Sequence, residues 1–183
     1  MPRIETVKQP EGKAKELLDG VQEKLGKVPN IYASMAHAPN VLEFALKGGS
    51  MLGNGEISAR LREQIALVSA GLNGCGYCAA AHTVIGKNTG LSEEEAKAAL
   101  SGGAEDSKEQ AALSFAKTVI EKRGQIKDAD FDAVKEAGYS DGEIIEIIAA
   151  VAFNAFTNYF NDVVGTEVDF PAVNLPESKQ AAE

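Results

Sequence analysis

Between Ile65 and Leu72 the only polar side chain is Ser69. A helix that is apolar nearly all round has no face to give to water, so it must lie at the centre of a core. The run is also too short to cross a membrane. Asn73-Gly74 then supplies a stop signal. The next eight residues, Cys75-Gly76-Tyr77-Cys78-Ala79-Ala80-Ala81-His82, hold both cysteines of the chain and one of its two histidines. Any fold that buries the first segment therefore carries a dithiol and a base to the edge of its core.

Helical periodicity continues on both sides. Ala14, Leu17, Leu18, Val21 and Leu25 predict a helix over 10–24, closed by Gly26. Pro29-Asn30 opens a short segment to Ala36. Pro39 starts another, which Gly48-Gly49 is expected to break or loosen, leaving 51–56 as a turn. Ser58 is a candidate N-cap for a helix to Leu72, and a second helix is expected over 75–88, with Gly90 beyond it. Ser92…Glu95 and Ser140…Glu143 have capping-box spacing and open helices to Leu100 and to about Val164. Amphipathic segments over 107–122 and 128–136 lie between them. No stretch alternates as a strand would, so the expected fold class is all-α. At 183 residues the chain is sized for one domain over 1–183, with loose tails at 1–9 and 172–183.

The formal net charge of −9 argues against a nucleic-acid surface, which requires a basic patch. The first residues lack the apolar stretch of a secretory signal. The last long helix is apolar but carries Glu146, Asn154 and Asn158, which suits a buried helix better than a membrane span. Neither membrane nor nucleic-acid partners are expected, and the compartment expected is the cytoplasm. Cysteines two residues apart close too short a loop to staple a fold, so in a reducing compartment the pair reads as catalytic or metal-binding.

On a helix, Cys75, Cys78 and His82 fall within an arc of roughly 60°. His82 lies one turn beyond Cys78, where an imidazole raises the thiolate population. Cys75 stands at the helix start, where the helix N-terminus favours its thiolate and makes it the more acidic and exposed candidate. Oxidation of either sulfur is answered by the other as a disulfide. Glu63 sits where the preceding helix turns apolar. If the two helices run antiparallel, it reaches the His82 end and can orient the imidazole. Arg60 and Arg62 offer Glu63 ordinary ion pairs instead.

Glu63, Cys75, Cys78 and His82 at this spacing resemble the signature of the AhpD-like (alkyl hydroperoxidase D-like) branch of the carboxymuconolactone decarboxylase family. Val28-Pro29-Asn30 and Gly138-Tyr139-Ser140-Asp141-Gly142-Glu143 extend the resemblance. It implies an all-helical trimer or hexamer that reduces hydroperoxides with thiols and needs no cofactor. In the implied roles Cys78 meets the peroxide, Cys75 resolves it, and Glu63 and His82 relay protons. The implied partners are a hydroperoxide, a dithiol or a thioredoxin-like or lipoyl reductant, and a peroxiredoxin. Tyr77 stands where the best-known members carry a relay histidine, and a phenol with a pKa near 10 is a poor base at neutral pH. True carboxymuconolactone decarboxylases lack the cysteine pair.

Two other readings use the same residues. A zinc-binding helical module would ligate Cys75, Cys78 and His82, with His37 or Glu63 as the fourth donor. A lactone decarboxylase or isomerase would use Glu63 and His82 without the thiols. Tyr77 and His37 are candidate pocket-lining residues. Asn154, Thr157, Asn158 and Asn161 form a helical stripe that reads first as a solvated or intersubunit face and second as a pocket edge.

Overall fold

In the computed structural model, which describes residues 1–176, the segment that had to be buried is the hub. Helix α4 (Ala59–Asn73) packs against α5 (Gly76–Asn88), α6 (Glu93–Leu100), α7 (Ser107–Glu121) and α9 (Asp141–Val164). Ile65, Leu67 and Val68 are fully buried, each contributing about 1.5–3 kcal/mol by leaving water. Ser69 returns its hydroxyl to the Ile65 carbonyl at 2.9 Å, so its burial leaves no donor unpaired. Gly71 faces α6 so closely that a Cβ there would overlap the Leu100 carbonyl oxygen.

The remaining elements are α1 (Gly12–Leu25), α2 (Asn30–Met35), α3 (Pro39–Gly53) and α8 (Asp128–Glu136), and no strand occurs among the described residues. Ala14, Leu18, Met35, Leu42 and Ala45 from α1–α3 make a second, smaller core, with Phe156 and Phe160 of α9 packed against it. The caps follow the sequence. Ser58 accepts from the Leu61 amide at 3.1 Å, and both expected capping boxes form.

Three expectations are corrected. Gly48-Gly49 does not break α3, which runs on to Gly53. Missing side chains at this point admit the Phe153 ring, which a Cβ on Gly48 would meet at 2.9 Å. Tertiary packing thus outweighs the poor helix propensity of two glycines. The N-terminal residues are not a free arm. Arg3 donates to the carbonyls of Asp162 and Val163 at 2.8 and 2.9 Å, occupying the orphan carbonyls at the C-terminus of α9. Val7 donates its amide to Ala33 O at 3.0 Å. Beyond Pro171, Val173 and Leu175 pack on the main core. The part of the expected tail over 177–183 lies outside the described residues.

Helix α9 is long and apolar enough to cross a membrane by length and composition. One face lies in the bundle. The other exposes Ile145, Ile148, Tyr159 and Val163, continuous in character with exposed Phe44 and Met51 on α3.

Candidate active site

Gly74, at φ 75°, ends α4 and turns the chain back, so α5 starts beside the end of α4. Cys75 is the N-cap of α5, and its sulfur accepts the Cys78 amide at 3.3 Å. This arrangement puts Cys78 inside the first turn and draws the two sulfurs to 2.6 Å. Both thiols are free and buried. The antiparallel return also carries His82 alongside Glu63, and His82 Nδ1 meets Glu63 Oε2 at 2.7 Å. Arg60 is engaged by Glu95 at 2.5 Å and Glu109 at 2.9 Å, and Arg62 by the Ile57 carbonyl, which leaves Glu63 to the imidazole.

The electrostatics separate the two cysteines. The Cys75 thiol donates to Cys78 Sγ, and this bond chiefly holds Cys78 below the ordinary thiol range, at about 7, against the opposing effect of burial. The Asn161 amide and the charge of His82 act in the same direction. Cys75 is pushed up, because losing its proton would end that donation and place a second charge in a buried site. This reverses the expectation that the helix start makes Cys75 the more acidic and exposed thiol. As N-cap, Cys75 is fully enclosed and acts as donor to its neighbour, while Cys78 receives the first-turn field. For His82, burial alone would lower the pKa, but the Glu63 carboxylate outweighs it and the net shift is upward.

On helix α9 the second of the two readings of the amide stripe, a pocket edge, describes part of it better than a solvated face. Asn154, Asn158 and Asn161 are all buried. Asn161 Nδ2 donates to Cys78 Sγ at 3.2 Å, and Asn73 Nδ2 donates to Asn158 Oδ1 at 2.8 Å. The C-terminal part of the stripe, Asn158 and Asn161, therefore serves the dithiol, while Asn154 and Thr157 bond the carbonyls of Ala150 and Asn154 in their own helix. The signal was present as amide side chains at helical spacing within an apolar helix, and buried amides need partners. Asp162, next in the chain, has its pKa raised by burial, with Cys75 acting in the opposite direction.

The two candidate pocket residues do not join the dithiol. Tyr77 is buried with its hydroxyl accepting the Ile31 amide at 3.3 Å and its ring edge-on to Phe170 at 5.6 Å. Burial pushes its phenol further up, away from any relay role. His37 is exposed, and its Nε2 hydrogen-bonds the Glu5 carbonyl at 2.9 Å. Among the described residues no three His, Cys, Asp or Glu side chains converge as a metal-binding group. A separate cleft lined by Glu56, Asp106, Glu109 and Tyr139 lies at the N-terminal end of α4, away from the sulfurs.

Residues 39–121 match the Carboxymuconolactone decarboxylase family. No curated protein matches the chain. Among solved structures, the alkylhydroperoxidase AhpD core of an uncharacterized peroxidase-related protein from Ralstonia eutropha JMP134 aligns with TM-score 0.80 at 24% identity, covering 90% of this chain and 92% of that one. An uncharacterized peroxidase-related protein from Silicibacter sp. TM1040 aligns with TM-score 0.80 at 23% identity over 88% and 87% of the two chains. The debrominase Bmp8 aligns with TM-score 0.76 at 22% identity over 91% of each. At these identities the likeness is one of fold.

Proposed function

From the match of residues 39–121 to the carboxymuconolactone decarboxylase family and the likeness to an AhpD fold, we propose that this protein is a thiol-dependent hydroperoxide reductase. The observation that carries the reading is the pair of sulfurs 2.6 Å apart, with the acidic one next along the helix from a Glu63-bound imidazole.

The chemistry follows from that arrangement. The Cys78 thiolate attacks one peroxide oxygen and the O–O bond breaks. The departing alkoxide takes a proton from the His82 imidazolium and leaves as an alcohol. The sulfur is oxidised to a sulfenic acid. The Cys75 thiol then displaces water from it and forms the Cys75–Cys78 disulfide. Two electrons and two protons from an external dithiol, of thioredoxin-like or lipoyl type, reset the pair by exchange. Such a cycle suits a reducing, cytoplasmic compartment. Tyr77 leaves the relay with Glu63 and His82 alone, which disfavours a peroxiredoxin as obligatory partner. Self-association as a trimer or hexamer belongs to the same reading, and the exposed apolar side chains of α3 and α9 support it.

The test is peroxide consumption by the purified full chain across several dithiols, beside the Cys78→Ser and Cys75→Ser variants. Turnover in the parent and its loss in both variants is the expected result. Retained turnover in both variants would remove the dithiol from the mechanism. Likeness to a debrominase makes a brominated pyrrole the informative comparison substrate in the same assay.

A further inference from the structure

Two side-chain amides converge on Cys78 from α9. Asn161 Nδ2 is bonded to the sulfur, but its carbonyl oxygen is buried and has no partner among the described residues. Asn158, one turn earlier, is oriented by Asn73, which donates to its carbonyl oxygen at 2.8 Å. That bond occupies the carbonyl end and leaves the NH2 as the free end of Asn158, a residue that favours the Cys78 thiolate. The NH2 group has no hydrogen-bond partner of its own among the described residues. Asn158 and Asn161 are 0% and 2% exposed. A buried polar group without a partner has given up its bonds to water for nothing in return, so two near one sulfur form a standing deficit that a ligand would relieve.

The unmet needs are complementary: one donor on Asn158 and one acceptor on Asn161. A hydroperoxide terminus, R–O–O–H, offers one proton to give and two oxygens that accept. We propose that Asn158 and Asn161 form an amide subsite that binds the peroxide O–O–H group against Cys78, with Asn73 holding Asn158 in its donating orientation. This rests on the hydroperoxide reductase reading. Asn161 Oδ1 accepts the hydroxyl proton of the substrate, and the Asn158 NH2 donates to the oxygen that gathers negative charge. As the S–O bond forms and the O–O bond breaks, the electron pair goes to the departing alkoxide. His82 protonates it, and the Asn161 NH2 continues to support the sulfur. Asn161 touches the reacting atom and is catalytic in this scheme, whereas Asn73 is a positioning residue. The charged and titratable groups around the sulfur are Cys75 and His82 from α5, Glu63 from α4 behind His82, and Asp162 from α9 beside Cys75.

The experiment uses the full chain with Cys75→Ser, so that Cys78 is the only thiol. One measurement is the rate of Cys78 sulfenic acid formation with hydrogen peroxide. The other is the alkylation rate of Cys78 by iodoacetamide against pH. Asn158→Leu is expected to slow the peroxide reaction by about 10²-fold while leaving the alkylation rate of the fully ionised thiolate unchanged. Asn158→Asp keeps the shape but replaces the donor by a carboxylate, and is expected both to slow the peroxide reaction and to raise the alkylation midpoint. Asn73→Ala is expected to give a smaller loss of the same kind, and Asn161→Leu also to raise the alkylation midpoint. If folded Asn158→Leu or Asn158→Asp reacts with peroxide at the parent rate, the subsite is overturned and the reductase reading stands. If the parent itself reacts no faster than free cysteine, the reductase reading fails, and the subsite with it.

Discussion

The Glu63 carboxylate and the His82 imidazole meet at 2.7 Å, although 19 residues separate them in the chain. The contact spans two helices and is created by the reversal at Gly74. It sets the charge of the base one turn from Cys78. His82 is held above its ordinary value of 6.5, so the ionic part of this contact is fully present below pH 6.5 and is lost as the pH rises through the raised value. Glu63→Gln should therefore cost about 1–2 kcal/mol at pH 6 and clearly less at pH 9. Thermal melts at the two pH values check this, and an equal cost at both would contradict it. Peroxide turnover in the same variant should fall by about 10²-fold.

Cys78 should alkylate with a midpoint near pH 7, because its thiolate is stabilised by the Cys75 thiol. Below that midpoint the thiolate is protonated and peroxide reduction should fall with it. Cys75→Ala removes the donor, and the midpoint should climb by about one unit or more towards the ordinary thiol range. Iodoacetamide rates across pH 5–10 read the shift directly. A midpoint that stays put would assign the acidity to the α9 amides, His82 and the helix terminus instead.

With Cys75→Ser, a sulfenic acid on Cys78 has no internal thiol to condense with. One equivalent of peroxide should leave it trappable by dimedone, seen as a mass increase on Cys78. The parent should give the intramolecular disulfide instead, and Cys78→Ser neither product. Dimedone labelling of Cys75 in the Cys78→Ser chain would exchange the two roles.

Gly71→Ala tests the hub. On helix propensity alone the change would stabilise by about 1 kcal/mol. Against α6, the new methyl overlaps the Leu100 carbonyl oxygen, a backbone atom that cannot rotate away. A net loss of about 2–4 kcal/mol is expected in denaturant unfolding. Stabilisation would mean that α4 and α6 sit further apart.

The exposed apolar surface of α9 and α3 should be covered in solution by further copies of the chain. Light scattering is expected to give the mass of a trimer or hexamer, and Val163→Glu or Ile145→Glu to lower it. A monomeric parent would end the self-association proposal.

Much of the fold was legible because its signals are local. Ser58, Ser92 and Ser140 cap where their spacing predicts, and glycines mark the helix ends at 26, 74 and 165. Gly48-Gly49 misled because a glycine pair is a breaker by propensity, whereas here its bareness makes room for Phe153. The N-terminal segment misled because nothing in its own residues reveals that Arg3 meets the open carbonyls at the end of α9. His37 misled by residue type alone: a histidine qualifies for any site until its partner, a carbonyl on Glu5, is known.

At the candidate site the division is the same. By itself the sequence determined the all-helical class, the buried α4 and the alignment of Cys75, Cys78 and His82 along one helix, because helical period and turn chemistry are properties of neighbouring residues. Only the tertiary structure decided which cysteine is the acidic one, that Glu63 is free to reach His82, and that Asn158 and Asn161 face the sulfur. Those outcomes depend on how α4, α5 and α9 rotate about their axes to bury their apolar faces together. That rotation minimises the free energy of the whole core and is written in no single segment.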